Sequence, residues 1–190
     1  MLEQALERGH EVTAFVRTPS KLREYAAPVK VVKGDVYAED SLFEAMAGQD
    51  AVMAVFGGRV KQTGPVRTTG VRNILTAMEQ HGTSRLIVLS AFGVGDTRDR
   101  GPYSRLIWKL IPAELEDLEG QEEAVRNSRV DWVLVRPTIL TNGRLTKQYQ
   151  VGEDLTVGLF PRISRADVAH FMLDQLESDE WLHRTPGVTV

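Results

Sequence analysis

Apolar and polar positions along the chain alternate between a helical period and a strand period. Leu2, Ala5 and Leu6 share one helical face, and Gly9 is placed to end that helix in a left-handed turn. Val12 to Val16 is a short β-rich run, and Ser20 to Ala27 suits a short helix that Pro28 stops. Val29 to Val32 reads as a strand closed by Gly34-Asp35. A helix over Asp40 to Ala47 ends at Gly48, and an apolar strand over Asp50 to Phe56 runs into Gly57-Gly58. Val71, Ile74, Leu75 and Met78 follow the i, i+3, i+4, i+7 spacing, which predicts a helix over Val66 to His81 that Gly82 ends.

Arg85 to Ser90 is the next strand, and Ala91 to Pro102 reads as a loop. Helices follow over Tyr103 to Ile111 and Ala113 to Ser128, with Pro112 at the break, then a strand over Asp131 to Val135 stopped by Arg136-Pro137. Thr138 to Pro161 is irregular, with two short strands. Ser164 to Asp167 resembles a capping box, and Val168, Phe171, Met172 and Leu176 line the helix after it. Gly187 to Val190 forms a last short strand. The repeated strand–helix alternation, with near-continuously apolar strands, predicts an α/β fold: a Rossmann-type doubly wound, mainly parallel sheet with helices on both faces.

Composition narrows this only slightly. The 190 residues suit a single domain, and a net charge of −3 gives no general attraction to nucleic acid or membrane. There is no cysteine, which excludes disulfides, thiolate metal sites and a cysteine nucleophile. No apolar run approaches ~18 residues, so nothing is expected to span a membrane and a cytoplasmic location is the default expectation.

In doubly wound folds ligands bind beyond the carboxyl ends of the strands. After the first strand come Arg17, Lys21 and Arg23 with no acid between them. A carboxylate there suits the ribose hydroxyls of NAD, whereas cations suit a 2′-phosphate and favour NADP. They also suit a solvated strand end. Asp35 could accept from an adenine amino group or cap its own turn. The glycines of Phe56-Gly57-Gly58-Arg59 let backbone approach a ribose or phosphate, with Arg59 on the pyrophosphate, or simply make a tight turn. Ser90 could orient a nicotinamide, donate to a substrate, or cap a turn. Gly93-Val94-Gly95 lacks a third glycine and a helix start, and reads as loop.

Several patterns are missing. There is no Tyr-x-x-x-Lys, since Ile107 stands where Tyr103 would need its lysine, and no G-x-S-x-G elbow. His10, His81, His170 and His183 show no metal-ligand spacing. Glu116, Asp117, Glu119, Glu122 and Glu123 read as a solvated acidic helix face rather than an acid/base pair.

Together, Gly9 to Arg17, Gly34-Asp35-Val36, Ala47 to Gly58, Gly70 to Gly82, Ser90-Ala91-Phe92, Asp131 to Pro137 and Ile163 to Leu173 resemble the NmrA-like, atypical short-chain dehydrogenase/reductase group. Within it the chain is most similar to the biliverdin-IXβ reductase/flavin reductase type, and the resemblance covers nearly the whole chain. It implies an NADPH-binding monomer passing hydride to a flat conjugated small-molecule acceptor such as a flavin, quinone or linear tetrapyrrole. On that resemblance Arg17 and Lys21 hold the 2′-phosphate, Asp35 and Val36 contact adenine, and Gly57, Gly58 and Arg59 flank ribose and pyrophosphate. Ser90 sits near the nicotinamide as the catalytic residue, and Pro137 and Thr138 line its far side. Thr138 stands where the biliverdin reductase type has histidine. An NmrA-like redox sensor without turnover is the second reading. A sugar-nucleotide epimerase is a third, opposed by the absent Tyr-x-x-x-Lys.

The family opens with a strand and a G-x-x-G-x-x-G turn, and the chain reads as lacking this first βα half-unit. The expectation is that about 20 further residues lie upstream and that Met1 is an internal start or fragment boundary. The absent strand would lie between the first and third visible strands. Losing about five buried side chains at ~1.5–3 kcal/mol each would remove on the order of 10 kcal/mol. That is comparable to the whole stability of a domain, so the chain as written is expected to fold poorly or rearrange.

Overall fold

The structure, a computed structural model, describes residues 1–22, 29–57 and 64–190. In chain order these form α1 (Leu2–Glu7), β1 (Val12–Val16), β2 (Val29–Lys33), α2 (Glu39–Met46), β3 (Ala51–Ala54), α3 (Val66–His81), β4 (Arg85–Leu89) and α4 (Gly101–Leu110). Then come α5 (Pro112–Arg126), β5 (Asp131–Pro137), β6 (Ile139–Thr141), β7 (Gln150–Gly152), β8 (Arg162–Ser164), α6 (Arg165–Asp174) and β9 (Gly187–Thr189).

The main sheet has the order β3-β4-β5-β9-β7, parallel except for the β7–β9 pair. Alternation along the strands divides their side chains between two layers. Leu86, Val88, Trp132 and Leu134 pack against Val71, Ile74 and Met78 of α3 and Val125 of α5. On the opposite face Ile87, Val133 and Val135 pack against Val168, Phe171 and Met172 of α6. Helices therefore cover both faces, which is why β4 and β5 read as continuous apolar runs.

β1 and β2 make a separate parallel pair. Among the described residues no ladder joins β1 to β3, so the two have not closed up against each other. α2 contacts both β1 and β2 and also packs on α3, and Phe15 reaches the core beneath α3. Side-chain packing, rather than backbone pairing, thus ties the small sheet to the large one.

Several boundaries differ from expectation. Pro19–Leu22 forms a 3-10 turn, and the rest of the helix expected over Ser20 to Ala27 lies outside the described residues. β3 ends at Ala54, short of Phe56. Pro112 is the first residue of α5 rather than a spacer, at the position where a missing N–H costs nothing. β8 has no counterpart in the sequence reading. It is three residues long and pairs in parallel with β6, too short to show a period. Ser164 does cap α6, its Oγ accepting from the Asp167 amide at 2.9 Å. Gly9 takes the expected left-handed conformation at φ +84°.

Candidate cofactor crevice

The ends of β1 to β5 bring most of the sequence-selected residues to the carboxyl side of the strands. Arg17 follows β1 directly and Lys21 lies in the turn after it; both are exposed, and neither joins an ion pair among the described residues. Gly58, Arg59 and Arg23 lie outside the described residues. Gly57 is exposed, with open space where a Cβ would stand.

Asp35 turns out to cap its own turn. Its Oδ1 accepts from the Tyr37 amide at 3.1 Å, the capping alternative weighed above. Val36 is held by its carbonyl, which accepts from Asn73 Nδ2 at 2.8 Å. Gly34 and Gly70 make this corner tight. A Cβ at Gly34 would fall 2.3 Å from the Phe15 ring, and one at Gly70 would fall 2.8 Å from the Phe56 ring and 3.0 Å from Val36.

The α3 N-terminus, at the turn after β3, is occupied from within the chain. Asp117 of α5 accepts from the amides of Arg67 and Thr68 at 3.0 and 2.9 Å and from the Thr68 hydroxyl at 2.9 Å. Asp117 therefore does not belong to a solvated acidic face. Nor does Glu122, which has no exposed surface. Both correct the sequence reading of α5, and the cause is the same. These two positions face α3 and the end of β5, where each carboxylate meets donors, whereas Glu116 and Glu123 are exposed as expected.

Around Glu122 the structure builds a buried polar network. Glu122 Oε1 accepts from Ser90 Oγ at 2.6 Å and from Arg136 Nε at 2.9 Å. Its Oε2 accepts from Nη2 of Arg136 and of Arg126, each at 2.8 Å. Arg136, itself buried, also donates through Nη1 to Asp96 Oδ1 at 2.5 Å. Burial works against the Arg136 charge, but hydrogen bonds and attraction from Glu122 and Asp96 outweigh it and push the guanidinium further up. The Asp96 carboxyl is raised by burial and lowered more by Arg136 and Arg100, ending below the usual carboxylate range. Sequence reasoning missed Glu122, Arg136 and Asp96. The only signal was an arginine at the end of an otherwise apolar strand, a position that burial of both sheet faces makes expensive for an unpaired charge.

Ser90 directs its hydroxyl to Glu122 in this structure. Pro137 and Thr138 are buried behind it. The Pro137 carbonyl accepts from the Phe92 amide at 2.9 Å, and the Thr138 hydroxyl pairs with that of Thr189 at 3.0 Å. Tyr103 is buried near Phe92, and desolvation pushes its phenol up to about 12. Gly93 and Gly95 lie in the loop after β4 with positive φ, as loop rather than phosphate turn.

The described residues fit an adenine dinucleotide in one respect: exposed cations, Arg17 and Lys21, stand after β1 where a 2′-phosphate would need them.

Comparisons with known proteins agree. A family model described as NAD(P)H-binding matches residues 1–179. An uncharacterized protein of Bacillus subtilis (strain 168), YwnB, is 27% identical over all of this chain and 91% of its own length. Among solved structures, ChuY of Escherichia coli O157:H7, titled an anaerobillin reductase, superposes with a TM-score of 0.80 at 20% identity, covering 98% of this chain and 88% of that one. A short-chain dehydrogenase/reductase of Veillonella parvula DSM 2008, in complex with NADP, gives a TM-score of 0.78 at 17% identity over 98% and 87%.

Proposed function

Because the chain belongs to the NAD(P)H-binding family, we propose that it is an NADPH-dependent reductase of a flat conjugated small-molecule acceptor, a flavin, quinone or tetrapyrrole-like compound. The observation that carries this reading is the crevice itself. Cations without acids stand at its β1 end, and the Ser90 hydroxyl stands at its β4 end, bonded to the buried Glu122 carboxylate. The fold shared with ChuY, an anaerobillin reductase, and with a neighbour that binds NADP supports the reading.

When bound, NADPH supplies the hydride. The chain's own residues have the narrower task of binding and orientation. Arg17 and Lys21 hold the 2′-phosphate, while Val36 lies at the adenine. Ser90 sets the nicotinamide, with Pro137 and Thr138 forming a rigid wall behind it. Holding two flat partners in contact makes hydride transfer effectively intramolecular, so little acid–base machinery is required. The buried, high-pKa Tyr103 and the lack of a neighbouring lysine agree with a proton taken from solvent. The protein works as a monomer.

The test is NADPH oxidation in the presence of FMN, a quinone or a linear tetrapyrrole. Turnover that depends on the acceptor and saturates with it supports a reductase. NADPH binding with no turnover on any of the three overturns it in favour of a redox sensor, the reading that the missing proton relay also suits.

A further inference from the structure

A serine hydroxyl carries one proton and two acceptor lone pairs, and a carboxylate only accepts. Ser90 Oγ and Glu122 Oε1 are 2.6 Å apart, in the range of a charge-assisted bond. Three guanidinium contacts, two from Arg136 and one from Arg126, fall on the same carboxylate. With four donor contacts on two oxygens, the proton in the Ser90–Glu122 bond is the serine's.

We propose that Glu122 is a positioning residue that fixes the polarity of Ser90. By accepting the hydrogen bond from the hydroxyl, it leaves Ser90 to offer only lone pairs at the end of β4. The ligand group suited to that is an N–H donor, the carboxamide NH2 of the nicotinamide, and not a carbonyl of the cofactor or acceptor. Ser90 is accordingly not the source of the proton delivered to the acceptor. The proposal rests on the reading of the crevice as an NADPH site.

The surroundings hold Glu122 in this role. Arg136 is fixed between Glu122 and Asp96, and the loop after β4 closes over the pair at Gly95. Gly95 has φ +58°, and a Cβ there would fall 2.6 Å from Arg136 Nη2 and 3.3 Å from Glu122 Oε2. A buried ion pair of this kind is often no more stabilising than apolar residues of the same volume. What it supplies is a carboxylate that cannot turn away from Ser90.

The test compares NADPH with its 3-acetylpyridine analogue, in which a methyl group replaces the carboxamide NH2 and the carbonyl is kept. Affinities are read by titration calorimetry on the wild-type protein, Ser90→Ala and Glu122→Gln. The wild type should prefer NADPH by roughly three- to tenfold, the value of one net hydrogen bond. Ser90→Ala, which leaves every contact of Glu122 with arginine in place, should reduce that preference to near unity. Glu122→Gln should reduce it as well, because an amide N–H facing Oγ turns the serine proton outwards. An unchanged preference in Ser90→Ala overturns the proposal, even if Glu122→Gln fails to fold. Equal binding of both cofactors by the wild type overturns it too. Failure of the wild type to bind either cofactor overturns the NADPH reading itself, and the proposal with it.

Discussion

Two exposed cations and one buried hydroxyl divide the crevice between them, and each has a distinct expected phenotype. Arg17 and Lys21 have no ion-pair partner among the described residues, so removing them should spare the fold and weaken NADPH alone. Charge-assisted contacts to a phosphate are worth about 1.5–3 kcal/mol, so Arg17→Ala should cost roughly tenfold or more in NADPH affinity and leave NADH little changed. Fluorescence titration with each cofactor checks this. Asp167 carries an expected pH dependence. Burial raises the Asp167 carboxyl, but hydrogen bonds from Ser164, from the amides of Thr146 and Lys147 and from the Thr146 hydroxyl outweigh it and bring it below the carboxylate range. A pKa lower in the folded than in the unfolded state gives stability that is complete above about pH 4 and is lost as pH falls through the folded value. Asp167→Asn should therefore lower Tm at neutral pH, by about 1–3 kcal/mol of stability, and flatten the acid limb of Tm against pH. The capping serine of α6 could be read from local spacing. The Glu122–Arg136 pair could not, because Glu122 sits among helix carboxylates that look like a solvated face, and an arginine ending an apolar strand does not name its partner.

The packing of α5 on α3 decides where β3 and β4 deliver their ends. Asp117 caps α3 from α5, and one turn later Gly120 lets the helices approach, since a Cβ there would fall 2.5 Å from Thr68 Oγ1. Thr68 cannot simply rotate away, because its hydroxyl is bonded to Asp117. Gly120→Ala would gain up to about 1 kcal/mol of helix propensity and lose about 1–3 kcal/mol to overpacking. The expected result is a net loss of stability, measured by denaturant unfolding with an unchanged m-value. α3 itself was legible from end to end, because four core residues repeat at the helical period and a glycine follows. The acidic side of α5 misled for a physical reason. Periodicity reports which face is charged, but not whether a neighbouring helix end or a buried arginine meets that face.

At the scale of the whole molecule, the two sheets differ in how firmly they are held. β4 and β5 are paired on both sides and largely buried, whereas among the described residues β1 and β2 pair only with each other and are mostly half-exposed. Hydrogen exchange should follow this division, with amides of β4 and β5 opening only on global unfolding and those of β1 and β2 exchanging faster through local opening. The alternation of strands and helices made the parallel, two-faced sheet legible from sequence. The β6–β8 pair stayed hidden because three-residue strands carry no period. The same division bears on the proposed function, in which Arg17 and Lys21, after β1 of the small sheet, select the cofactor and Ser90, after β4 of the large one, orients it. The most direct test of the account is therefore a calorimetric titration of the protein with NADPH and with NADH under identical conditions. Saturable NADPH binding, at least tenfold tighter than NADH from the 2′-phosphate contacts, is the predicted result. Equal affinity for the two cofactors, or no binding of either, would contradict it.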